Sequence, residues 1–341
     1  MTALHAFREG ARRVARAPAI VAGTFALTLL VALPLAIALR GMLEAHLGAS
    51  LAADAAARGA NYEWWQEFMA QAAGLGTTFV PSIIGFGAVL QNLSNLVDNV
   101  PMATTIAGVT GAWLVLWAFL SGGIIDRFAR DRATRGRGFF AACGAHIGPV
   151  LRLGLVALVA YWALFRWVHP LIFGVIYTGV THDTAVERTA LLIRLIAYGA
   201  FAMTLGLVNV VFDYSRIRIV VEERRSALGA LLAGGRFVRR HAGAVAGLYA
   251  LNGLTFVVAL AIYAVAAPDV VPAGAGTWFV LLAGELYILV RHFLKLTFYA
   301  SETALFQSRL AHAAYTAAPP VVWPDSPAAE SIANASPSAL R

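Results

Sequence analysis

Five ionisable residues, Glu285, Arg291, His292, Lys295 and Glu302, lie within one long apolar stretch. At ~100° per residue they share, with Gly284 and Tyr299, a helical sector of roughly 120°. Phe279, Leu282, Leu286, Leu289, Val290 and Phe293 take the opposite face. A charge at mid-bilayer costs at least ~2.5 to 3.5 kcal/mol, so other apolar runs must cover the polar sector. Glu285 stands ~12 Å into the run and its short side chain reaches neither surface. It must be protonated, paired or hydrated. Two chemistries follow: a structural ion pair, with Arg194 or the His292 side of its own helix, or a protonatable site on a transport path. Lys295, ~27 Å from the outer start of the run, can extend to the inner headgroups. Glu285, His292, Lys295 and Arg194 are therefore the candidate intramembrane polar site.

A second set of charges sits just past the inner ends of apolar runs. Asp126 precedes Arg127, Asp213 is followed at three residues by Arg216, and Glu302 closes the opening stretch. Asp126, Asp213, Arg216 and Glu302 form a candidate inner-surface charged cluster. One reading binds a lipid headgroup or a partner; the other is a set of solvated turns with weak local ion pairs.

Catalytic signatures are missing from the chain. There is no P-loop, no G-x-S-x-G, no H-E-x-x-H and no dinucleotide fingerprint. Gly85-x-Gly87 lacks a third glycine, and His182-Asp183 lacks the further ligands of a metal site. The single Cys143 excludes an intrachain disulfide and a multi-cysteine metal site. The expectation is a protein without enzymatic chemistry, cofactor or metal.

The elements that hold these residues are membrane spans. The 341 residues are 60% hydrophobic and only 13% charged, against roughly 25% charged in soluble domains. Mean hydropathy is +0.72. Six transmembrane helices are expected at about 17–39, 103–125, 148–168, 189–212, 243–266 and 277–300. The first apolar run, with 23 residues from Ala17 to Leu39, is too long for a signal h-region and reads as an uncleaved span. The third has a rival reading: Arg166, Trp167 and His169 mark its outer end, or the helix runs on past Pro170 as a longer, tilted span.

Lys and Arg decide the orientation. Segments 1–17, 126–147, 213–241 and 301–341 hold 4, 5, 7 and 2, and the alternate segments 41–102, 179–188 and 267–276 hold 1, 1 and 0. This asymmetry places both termini in the cytoplasm. With 25 of 26 cations being Arg and much Ala, the composition fits a bacterial inner (plasma) membrane. The net charge of +8 is spread between apolar runs, as topology signals are, and no nucleic-acid partner is expected.

The outer insertion 41–102 contains the aromatic-acidic run 61–68 and, at 79–90, an apolar run too short to span, read as re-entrant or interfacial. The block 213–241 alternates apolar residues with arginines at helical spacing. It is expected to be an amphipathic interfacial helix, broken at Gly234-Gly235, that meets anionic headgroups at the cytoplasmic face. Residues 1–315 thus form one polytopic domain, and the Pro-, Ala- and Ser-rich 316–341 a disordered cytoplasmic tail. Asp126, Asp213 and Glu302 recur 87 and 89 residues apart. Arg12-x-Val14-x-Arg16 before the first span is echoed by Arg236-x-Val238-x-Arg240 before the fifth. Three repeated hairpins are the corresponding architecture.

The block Asp213-Tyr214, Arg216-Ile217-Arg218, Val221-Glu222, Ala227-Leu228 and Phe237-Val238, set between two spans, resembles uncharacterised six-span bacterial membrane proteins. It is also distantly similar to the membrane region of some glycerophosphodiester phosphodiesterases. The layout extends over residues 1–315, while the catalytic domain of those enzymes has no counterpart here. The resemblance implies an accessory membrane module and no catalytic residues. The sequence thus points to an all-α, multi-pass protein that binds membrane, lipid or a protein partner; a transporter or permease using the polar face of the sixth span is the alternative.

Overall fold

The computed structural model of the protein describes residues 1–48, 50–58, 61–79, 86–266 and 275–310, and every regular element among them is helical. The basic start folds as α1 (Ala3–Ala15), whose N-terminus is capped by the Thr2 hydroxyl accepting the His5 amide. Pro18 opens α2 (Pro18–Leu47) in the first turn, where its missing N–H costs nothing. The outer insertion supplies α3 (Ala53–Arg58), α4 (Tyr62–Gln71), a 3-10 turn at Gly74–Thr78 and α5 (Phe86–Val97). Then come α6 (Thr104–Arg130) and α7 (Gly136–Ala163), which continues through two π-helical stretches into α8 (Thr178–Thr181). The last described elements are α9 (Glu187–Val221), α10 (Ala227–Arg240), α11 (Ala242–Ala266) and α12 (Ala275–Arg309).

Five runs are long and apolar enough to cross a membrane: 18–47, 104–130, 136–181, 187–221 and 242–266. α12, expected as the sixth, has the length, but Glu285, Arg291 and His292 dilute its apolar run and it is not among the five. The third span does not stop at 168. Pro170 removes one backbone donor, and the helix widens into π turns at Leu164–Val168 and Pro170–Tyr177, which carry it on to Thr181. The longer of the two sequence readings is the one adopted.

The 213–241 block also differs from expectation. Asp213 to Val221 are the last turns of α9, and the chain turns only at 222–226, where Glu223 takes a left-handed φ of 51°. α10 alone is the separate amphipathic helix, capped by Ser226, and it runs unbroken through Gly234-Gly235. Residues 80–85 of the proposed re-entrant run 79–90, and the whole tail 316–341, lie outside the described residues, and 86–90 open α5.

The core lies at one end of the bundle. α9 and α12 have 35 residues each, about 52 Å of helix against a hydrocarbon layer of ~30 Å. Their final turns, with those of α6, carry the most deeply buried side chains: Ile124, Phe128, Tyr214, Ile217, Leu305 and Phe306. α1, α10 and the first turns of α7 cover them. Each cover meets its partner through a small residue. A Cβ on Gly10 of α1 would stand 2.5 Å from the Ser301 amide of α12. One on Gly123 of α6 would stand 2.5 Å from Cys143 Sγ of α7, and one on Gly234 of α10 would come within 3.0 Å of the Ser215 amide of α9. This basic end holds residue 1, the turns 131–135 and 222–226 and the end of α12. Elsewhere the spans present Leu30, Leu158, Ile196 and Leu282 outward. Only 6% of the apolar window of α2 and 39% of that of α6 is buried, so packing is concentrated at the basic end.

Candidate functional site

The described residues place the predicted charges in three separate settings. The first is a polar layer where α6, α7, α9, α11 and α12 meet. Asp213 is 6% exposed. Its Oδ2 accepts from Tyr249 Oη at 2.6 Å and Asn209 Nδ2 at 2.7 Å, and Arg216 donates to its Oδ1 at 3.3 Å. Arg216 donates also to Tyr299 Oη at 2.7 Å, which accepts the Trp117 indole N–H at 3.0 Å. Lys295 does not run free to the surface layer: its Nζ stands 3.5 Å from the centroid of the Trp117 ring, a cation–π contact. Tyr161 extends the layer by donating to Asn209 Oδ1 at 3.3 Å.

Glu302 is fully buried beside this layer, and neither of its oxygens has a hydrogen-bond partner. The Tyr249 hydroxyl faces both acids but is bonded in good geometry only to Asp213. A second, fully buried carboxyl thus stands beside the Asp213–Arg216 pair, an arrangement able to hold a proton.

Asp126 is not part of this layer. The spacing of the three acids does not match the register set by the helix contacts. Asp126 lies three residues after Gly123, Asp213 two before Ser215, and Glu302 one after Ser301, a spread of ~7.5 Å along the helices. Asp126 instead accepts both Nε contacts of Arg130, at 2.8 and 2.9 Å.

The second setting is the predicted intramembrane site, which the fold divides. Arg194 is not the partner of Glu285. Arg194 stands 3.6 Å from Asp98 and donates to Tyr198 Oη at 3.0 Å. The hydrogen bond from Tyr198, against a smaller opposing effect of partial burial and with help from Ser94 and the Arg194 charge, holds the Asp98 carboxyl below its usual range. Glu285 is half-buried, with Oε2 enclosed and without a partner. His292 is buried and bonds Thr28 of α2 through Nε2 at 3.0 Å.

The third setting is a cleft of about 560 Å³ at the basic end, between α7 and the turns that follow α6 and α9. Asp126, Arg130 and Arg132 line one side, Glu223, Arg224 and Arg225 the other. Ala141, Ala142, Ala145 and Pro149 of α7 form an apolar wall, with His146 among them. Arg224 pairs with Glu222, Arg130 with Asp126.

Sequence reasoning missed Tyr249, Asn209, Trp117 and Tyr161, each a single polar or aromatic residue inside an apolar run. It also missed Arg13, which is 7% exposed and joins α1 to α6 and α12 by donating to Phe128 O at 2.8 Å and Gln307 Oε1 at 2.9 Å. Its basic neighbours made it read as an orientation signal. No protein-family model, curated protein or solved structure matches the chain.

Proposed function

We propose that the protein is a non-enzymatic, multi-pass module of a bacterial inner membrane that binds anionic headgroups at its cytoplasmic face. One observation carries this reading: packing and charge are gathered in a layer at the basic end, while the spans above it remain open to lipid. A layer of that kind holds surface helices rigidly against a membrane. α10 buries Ala230, Gly234 and Phe237, yet leaves Leu228 and Leu232 exposed beside Arg236, Arg239 and Arg240. That is the composition of an interfacial helix. α12 serves as the sixth span, with α1, α2, α6, α9 and α11 packed against it and His292 and Glu302 of its polar face buried. Both termini are cytoplasmic, and a protein partner docks on the same face. The resemblance to the membrane regions of phosphodiesterases fits an accessory role.

The same packing supports three hairpins built on one plan. The covers α7 and α10 pack on the closing helices α6 and α9 of the preceding hairpins, and α1 packs on α12, which completes a ring. The half-buried Glu285, aligned on α12 with the exposed Arg291 and Lys295, favours a transporter as the second reading.

Native mass spectrometry of the purified chain tests the leading reading. Phosphatidylglycerol is expected to be retained in preference to phosphatidylcholine, and retention should weaken with salt. Equal retention of both lipids would remove it.

A further inference from the structure

We infer that the cleft between α7 and the turns after α6 and α9 is a specific site for a phosphate group carried by a lipid. The inference rests on the inner-face reading above and names the ligand and the residues. Four arginines, Arg130, Arg132, Arg224 and Arg225, converge on one space of about 560 Å³. Two of them are already engaged, Arg130 with Asp126 and Arg224 with Glu222. The guanidinium groups of Arg132 and Arg225 make no hydrogen bond or ion pair among the described residues. Each is a planar fork of donors whose shape matches phosphate oxygens, a fit a point charge does not have.

The carboxylates in the lining do not cancel this pair. Asp126 is occupied by both Nε contacts of Arg130. Glu223 is exposed on the turn, where its left-handed backbone carries the following Arg224 and Arg225 toward the cleft lining. The fold holds the arginines in place. Arg152 donates to the Arg225 carbonyl, and Asp131, at the turn after α6, is tied to Arg12 and Arg16 of α1 at 3.6 and 3.7 Å.

The other wall separates a lipid from a soluble phosphate. Ala141, Ala142, Ala145 and Pro149 give the cleft a smooth apolar side. α7 continues from there into the apolar layer with Leu155 and Val159 exposed, each 63%, Val159 lying in line with Ala141 at ~100° per residue. A phosphate at the arginines therefore places its glycerol against the alanines and its chains along the lipid-facing side of α7. An inorganic phosphate would leave that wall uncovered.

The test uses the full chain in neutral detergent titrated with phosphatidylglycerol. Arg132→Gln/Arg225→Gln should lower affinity by roughly tenfold or more, the loss expected for charge-assisted hydrogen bonds. Arg8→Gln/Arg309→Gln, exposed on α1 and α12 and outside the cleft lining, should leave it within about threefold. Ala145→Trp, which fills the apolar wall and keeps every charge, should also lose about tenfold. Equal losses in the two arginine pairs, or full binding by Ala145→Trp, would overturn the cleft while leaving surface attraction intact. Absence of any preference for the anionic lipid in the unaltered chain would instead remove the inner-face reading. Glycerol phosphate or inorganic phosphate competing as well as the lipid would overturn the lipid assignment.

Discussion

Glu302 and Asp126 are both acids near the ends of helices at the basic end, yet their surroundings make them different groups. Asp126 shares a carboxylate–guanidinium contact with Arg130, whose side chain is 35% exposed, so solvent screens much of the pair. Asp213, whose side chain is 8% exposed, pairs with Arg216, 23% exposed, beside the fully buried Glu302, and removing the guanidinium leaves the buried acids uncompensated. Arg216→Gln should therefore destabilise the protein by about 3 to 5 kcal/mol, and Arg130→Gln by about 1 kcal/mol or less. Glu302→Gln should be milder than Arg216→Gln, because it removes charge from the buried side that lacks a partner. Cys143, buried against Gly123, supplies the readout: a thiol-reactive dye reports its exposure on thermal unfolding. Equal melting of the two arginine variants would show that the buried layer carries no such energy.

At the scale of elements, α1 is a clasp. It touches the ends of α6 and α12 through Arg13, and Glu9 holds Arg13 from the other side at 3.0 Å. Partial burial works to raise the Glu9 carboxyl, but hydrogen bonds and charge from Arg12 and Arg13 outweigh it and leave it below its ordinary 4.5. A carboxyl lowered by folding stabilises the fold in full above its unfolded value and loses that contribution as pH falls through its folded value. Stability should therefore decline on acidification below about 4.5, with Glu9 contributing part of the decline. In Glu9→Gln that part should be absent and the melting temperature should vary less over this window. An unchanged acid slope would separate Glu9 from the clasp.

The whole molecule is asymmetric along its long axis. One end is a closed layer of covers and helix ends; the other is built from short pieces around aromatic contacts such as His46, Trp64 and Phe68. If the closed layer faces the cytoplasm, a cysteine introduced at Ala52 should react with an impermeant thiol reagent applied to intact cells. One at Ser226, in the turn before α10, should not. Labelling at Ser226 from outside would invert the orientation and place the arginine cleft on the wrong side for cytoplasmic lipids.

All-helical membrane character was legible in the sequence because hydropathy and helical period are local quantities: a run such as 187–212 is apolar whatever surrounds it. The polar sector of α12 was legible for the same reason, since 100° per residue places Glu285, His292 and Lys295 on one side. Partnership was not. Arg194 belongs to Asp98, not to Glu285, because the residue it faces is set by which helix packs beside it, and α5 brings Asp98 to α9. The regular spacing of Asp126, Asp213 and Glu302 implied one depth, but depth is set by where backbones touch, at Gly10, Gly123 and Gly234. Those glycines looked like any others in an apolar chain. Pro170 signalled an end, and the helix absorbed it by widening, a choice made by the packing of Phe165, His169 and Phe173 around Phe201. The cleft needed two turns, after Asp131 and Glu223, brought together from positions far apart in the chain, and only the tertiary structure could make that meeting.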